Sequence, residues 1–242
     1  MKEQALMLLI GLSILATGQK TIEKIENTNQ DIGWTAVEDI EWSAYESILS
    51  ENDYAALQEY FPVLSGEETF EWTFNDYSND YEKHIVTLDE FRYKLNNEIF
   101  SFSDDEKMDR LWINSFTICD LGQDGSKELI LLCENAGGHF LILHKENEKF
   151  YGIDTVYRGF LQLQTNGVYQ GSGGAAYSMY FELEFENGAF NEKKLGYTDW
   201  DDEQGKAIYY MGNEMTEDYD IFKEWLDSYM VGNMEYYEVI RK

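Results

Sequence analysis

Past Trp112 the hydrophobic pattern of this chain switches to a period of two, and the alternating segments follow one another with very little chain between them. They span residues 115–119, 128–133, 139–144, 150–154, 159–164, 177–185 and 189–195. The links between them carry turn chemistry, seen in "KENEK", "QTNGV" and "ENGAF". Asn-Gly pairs at 166–167 and 187–188 accept the positive φ of a tight hairpin. Parallel neighbours need crossovers of a dozen residues or more, so links this short point to an antiparallel meander. Clean alternation in "FLQLQ" and "MYFELEF" gives that sheet one packed face and one wet face.

Before the switch the period is helical. Val37, Ile40, Tyr45, Ile48 and Leu49 recur at helical spacing, as do Tyr54, Leu57 and Phe61 after a helix start at Ser50 and Asp53. Pro62 and Gly66 close this helical hairpin, and "ETFEWTF" then reads as a short strand or an exposed clamp. Thr87-Leu88-Asp89-Glu90 is a capping box that launches a helix through about Asn97, and 104–110 adds a turn. Thr216 caps an amphipathic helix to Tyr229, with Ile221, Phe222, Trp225 and Tyr229 on its apolar side. The expected class is α+β, with N-terminal helices, a central antiparallel β-meander and a C-terminal helix. The expected organisation is a leader at 1–18, a linker at 19–33, a helical region at 34–110 and a sheet domain at 111–242, with 34–242 able to form one domain.

The opening "MKEQALMLLIGLSILATG" puts Lys2 before an apolar stretch of signal-peptide length, too short to span a bilayer. Small residues at Ala16 and Gly18 set cleavage before Gln19, where a bacterial lipoprotein would carry a cysteine. Export to the medium or cell envelope is the expectation, with membrane contact only through an uncleaved N-terminal segment. The alternative is a buried N-terminal helix. Acidic residues number 47 against 18 basic, a net charge of −29. Such a chain repels phosphate backbones and anionic membranes, which argues against nucleic-acid binding. It suits plain solubility, a cation binder or a decoy for a basic partner.

"ICDLGQDGSKELILL" sets Asp120, Asp124 and Glu128 around a tight bend with Gly125 at its sixth position. Calcium takes six to eight oxygens from closely spaced carboxylates and carbonyls, and loops that bind it place a glycine there. Gly122 stands where such loops carry a further acid. A weak calcium site and a bare polar hairpin turn both fit these residues. Cys119 and Cys133 flank the loop, and simple hairpin pairing brings Cys133 nearer Asn114 than Cys119. Free buried thiols are therefore expected rather than a disulfide, and no histidine joins them to make a zinc site.

The stretches "CDLGQDGSKELIL", "HFLILHKENEKFYGIDTVYRGF", "LQTNGVYQGSGGA" and "YFELEFENGAF" resemble a group of uncharacterised secreted or lipoprotein-like proteins of clostridial gut bacteria. That group carries an Asp-x-Asp-x-Asp-Gly-x-x-Glu loop similar in form to the calcium loops of FG-GAP and VCBS repeats. The resemblance covers 115–190, and it implies a cell-envelope α+β protein of unknown function. This chain departs from the pattern at Gly122.

"YQGSGGAAYS" lacks the lysine of a phosphate loop and reads as a tight bend, with a groove conceivable beside Tyr157, Arg158, Tyr169 and Tyr177. Tyr151, Trp72 and Trp200 join those tyrosines as rings that could stack on sugars, or could simply be core. His139 and His144 fall on opposite faces of one strand and cannot share a metal. With no nucleophile motif in view, the expected function is a non-catalytic binding or interaction module whose ligand is a protein or a glycan. The rivals are an extracellular hydrolase and an acidic inhibitor or immunity-type protein.

Overall fold

The computed structural model describes residues 40–75, 81–94, 112–134, 139–155, 160, 162–174, 177–232 and 234–242. The chain divides into two units, Met1–Gly33 and Trp34–Lys242, and every described residue belongs to the second. The leader, the linker, the helical turn at 104–110, Tyr157 and Arg158 lie outside the described residues.

Short helical pieces come first: a 3-10 turn at Trp42–Ser47, α1 at Glu51–Glu59 and α2 at Phe61–Leu64. Ser50 caps α1 by accepting from the Asp53 amide at 3.1 Å, and Pro62 sits in the first turn of α2, where no backbone donor is needed. Strands β1 (Phe70–Asn75) and β2 (Tyr81–Val86) follow, then helix α3 (Leu88–Lys94). The capping box closes at α3: Glu90 Oε2 accepts from the Thr87 amide at 2.8 Å, and Thr87 Oγ1 accepts from the Glu90 amide at 3.2 Å.

Six strands follow from β3 (Trp112–Cys119) through β4 (Glu128–Glu134), β5 (His139–Glu146), β6 (Lys149–Thr155), β7 (Val168–Gly174) and β8 (Tyr177–Glu186). Then come β9 (Ala189–Asp201), β10 (Lys206–Met211), β11 (Glu214–Thr216), helix α4 (Tyr219–Tyr229) and β12 (Tyr237–Glu238). They form a seven-stranded sheet ordered β12-β3-β4-β5-β6-β1-β2 and a five-stranded sheet ordered β11-β10-β9-β8-β7.

This overturns the helix-flanked α+β expectation, because the chain is mostly β and its strands divide between two sheets. The region read as helical contributes β1 and β2 to the larger sheet. β1 pairs parallel to β6, so the larger sheet is mixed and not a pure meander. Short links fix the direction of consecutive strands only, and β1 reaches β6 from far earlier in the chain. Segment 159–164 is not a strand among its described residues: Gln162 adopts φ 56°, which turns the backbone out of extension. The glycine run read as a bend is instead the edge strand β7.

The larger sheet packs on both faces. Phe116, Leu129, Leu131, Leu141, Leu143, Phe70 and Trp72 lie against Tyr45, Leu57, Tyr60, Val63 and Phe91 of the helical pieces. The opposite face, with Ile130, Ile142 and Ile153, meets Tyr169 and Leu183 of the smaller sheet. Helix α4 covers the far side of the smaller sheet, burying Phe222 against Tyr180, Leu195 and Tyr209. Ile221, expected on the buried side of this helix, is 51% exposed. Asp218, not Thr216, caps the helix, its Oδ1 accepting from the Asp220 amide, while Thr216 Oγ1 accepts from the Asp218 amide.

Candidate functional site

Strand register carries the acidic loop into the space between the sheets. Cys119 lies opposite Glu128, Leu129 opposite Leu143, and His144 opposite Tyr151, so Cys119, Glu128, His144 and Tyr151 form one row across β3 to β6. His144 Nδ1 is 2.7 Å from Glu128 Oε1, and the Leu121 amide donates to Glu128 Oε2 at 2.7 Å. Both residues are buried, and the imidazole stacks on Phe185 of the smaller sheet with centroids 3.7 Å apart. Burial raises the Glu128 pKa, against the opposing hydrogen bonds from His144 and the Leu121 amide. Both carboxylate oxygens are therefore committed inside the protein.

The remaining loop acids close turns. Asp120 Oδ2 accepts from the Gly125 amide at 3.0 Å, and Asp124 Oδ1 accepts from the Ser126 amide at 2.7 Å. Gly122 and Gly125 take φ 81° and 93°, the left-handed conformations that such a bend requires. Tyr60 donates to the Lys127 carbonyl at 2.7 Å and Lys127 pairs with Asp53, which ties the loop to α1. Asp120 Oδ1 is buried with no hydrogen-bond partner. For an ion, the fit is partial: Asp120 offers an unsatisfied oxygen and Asp124 is exposed, while Glu128 is taken by His144. Among the described residues no group of three or more His, Cys, Asp or Glu side chains could hold a metal.

Cys119 and Cys133 are both free thiols. Burial, then the charges of Glu128 and Asp120, push the Cys119 thiol up to about 12, and burial pushes Cys133 up to about 12 as well. A nucleophilic cysteine needs its pKa lowered, so the Cys119–Glu128–His144 row is arranged against thiolate chemistry.

The groove residues part company. Tyr169 is 2% exposed, stacks on Phe181 and donates its hydroxyl to Glu192, whereas Tyr177 is 45% exposed. The sugar-stacking candidates divide in the same way, with Trp72 buried at 1% exposure and Trp200 open at 36%. Tyr197 and Tyr210 stack with centroids 4.2 Å apart and planes 5° from parallel, and Lys194 sits 3.9 Å from the Tyr197 centroid. Both faces of the Tyr197 ring are thus occupied, so this pair braces the sheet and leaves no Tyr197 face for a sugar.

Two features went unseen in the sequence. A groove of about 580 Å³ opens beside Trp42, Phe61, Pro62, Leu64 and Lys242. Asp154 is buried among the helix-facing side chains, with Oδ1 accepting from Trp72 Nε1 at 2.6 Å and Oδ2 unpartnered. Parity along β6 would have flagged Asp154, since Phe150, Gly152 and Asp154 share a side. The groove has no linear signal, because it forms where 40–42, 58–67 and the last residue meet. No family model matches this chain, and no curated protein or solved structure matches it.

Proposed function

We propose that this chain is a non-catalytic interaction module of an exported, envelope-associated protein, working through its acidic surface rather than an enclosed reaction centre. The observation that carries this reading is the internal commitment of Glu128. Its two oxygens hold His144 and the Leu121 amide, so this buried carboxylate fixes the imidazole that stacks on Phe185 of the smaller sheet. Meanwhile the charge of −29 favours capture of cationic partners and disfavours anionic ones. Calcium belongs to the proposal through Asp120 and Asp124, where an ion would satisfy the orphaned Asp120 oxygen and stiffen the bend without adding chemistry.

Turnover tests the reading directly. The protein is assayed against chromogenic ester, peptide and glycoside substrates beside Glu128→Gln and His144→Gln. The expected result is background hydrolysis in all three proteins. Hydrolysis by the wild type that disappears in Glu128→Gln would overturn the proposal.

A further inference from the structure

Among the described residues the outer edge of β7 has no strand beside it, where the edges of these sheets are otherwise short or charged. β12 and β11 have two and three residues, and the edge strand β2 carries Glu82 and Lys83. β7 runs Val168–Gly174 inside a stretch, 159–181, without a charged residue or a proline, in a chain that is 27% charged. Edge strands normally carry such guards because their unpaired amides and carbonyls template another strand. Among the described residues the guard here is a bulge at the far end, between Ser172 and Gly174.

The ladder fixes which groups face out. Leu183 donates to the Gly167 carbonyl at 2.9 Å, and Val168 pairs with Glu182, so Gly167, Tyr169 and Gly171 turn their polar groups toward β8. Val168, Gln170 and Ser172 turn theirs outward. Val168 is already closed, its carbonyl accepting from the Gln164 amide at 2.8 Å and its amide donating to Asn166 Oδ1 at 3.3 Å. Among the described residues no partner meets the outward amides and carbonyls of Gln170 and Ser172.

We propose that this edge receives an extended cationic segment of a partner protein as a sixth strand of the smaller sheet. The proposal rests on the interaction-module reading and names its partner class. Charge selects the occupant. A second copy would bring −29 against −29, whereas a lysine-bearing segment is drawn in by the field of the whole chain and then held by backbone bonds at an edge without charge of its own.

The probe is a synthetic peptide alternating valine with lysine, set against a peptide of equal charge in which prolines replace alternate valines. Binding is followed by fluorescence anisotropy and by amide exchange at Gln170 and Ser172. The alternating peptide is expected to bind and to slow exchange at both amides, while the proline peptide leaves exchange unchanged. Gln170→Pro removes an outward amide at a position where edge strands tolerate proline, together with the Gln170 Nε2–Ser178 Oγ hydrogen bond at 2.9 Å. It is read against Gln170→Ala, which loses the side-chain bond alone. Relative to the alanine variant, binding by the proline variant should be about tenfold weaker. Because the two peptides are compared on the wild type, the test survives even where that variant misfolds. Equal binding of both peptides with unchanged exchange would mean surface adsorption alone and would overturn the proposal. Protection that grows with protein concentration and needs no peptide would assign the edge to a second copy instead, overturning it as well. Either failure leaves the module reading standing, since turnover tests that separately.

Discussion

At the residue scale, Asp154 is the side chain whose state should most visibly move the stability of the fold. Burial pushes its pKa from an ordinary 3.8 up to about 7, against the hydrogen bond from Trp72. Because the folded value is raised, the stability tied to this group is complete below about pH 3.8 and drains away as pH rises through about 7. The shift corresponds to about 4 kcal/mol at most. In Asp154→Asn that drain is gone, and every other carboxylate titrates as before. The stability gap between variant and wild type, from urea melts, should therefore widen in the variant's favour between about pH 4 and pH 8. A gap that stays constant would show that the carboxyl remains protonated or is paired. Asp120 permits the companion test. Calcium at ten times its dissociation constant should add about 1.4 kcal/mol, and Asp124→Asn should abolish the gain; identical melts in calcium and chelator would remove the ion from the account. The sequence showed where the loop acids fall but not what their oxygens meet. Glu128 and His144 are sixteen positions apart, and only the β4–β5 register makes them neighbours.

At the scale of elements, local signals were legible and long-range pairings were not. The capping box at Thr87, the helix start at Ser50 and the Asn187-Gly188 hairpin, with φ 56° and 75°, depend on residues within a few positions of one another. The two-residue strand β12 depends on residues nearly two hundred positions away. Tyr45 of the 3-10 turn donates its hydroxyl to the Glu238 carbonyl and accepts from the Ile240 amide at 2.7 Å, while its ring meets Phe116 edge-on at 4.7 Å. That clasp holds β12 at the sheet edge together with its ladder to β3 and the bond from the Val239 amide to the Asn114 carbonyl at 2.9 Å. Tyr45→Phe keeps the ring and loses both bonds, so it should cost about 1–3 kcal/mol. Amides of Tyr237 and Glu238 should exchange faster while those of β4 and β5 do not. Uniform acceleration across the larger sheet would mean that β12 cannot open on its own, against this reading. The parallel β1–β6 contact was hidden for a similar reason: its fit depends on Phe70 lying over Gly152, where an added Cβ would come within 2.6 Å of the ring.

For the whole molecule, charge was the most legible property and sets opposite signs for two salt effects. Acids outnumber bases 47 to 18, and many of the described lysines are already spent in pairs such as Lys83–Glu71, Lys193–Glu182, Lys206–Glu217 and Lys223–Asp227. Exposed pairs of this kind contribute about 0–1 kcal/mol each and weaken with salt. The unpaired excess of carboxylates works the other way, since each is repelled by the rest of a compact chain and less so by an expanded one. With so large an excess the repulsion wins. Salt should therefore stabilise the fold, the screening length falling from about 30 Å at 0.01 M to about 3 Å at 1 M. Melting temperature should climb about 2–4 °C for each kcal/mol of repulsion removed, and to the same extent in sodium chloride and lithium chloride at equal ionic strength. A flat or falling melt would show that the pairs outweigh the excess. The same screening must weaken any cationic strand drawn to β7, so stability and partner affinity should move in opposite directions along one salt titration. That divergence separates an interface steered by charge from one held by apolar contact, for which both quantities would rise together.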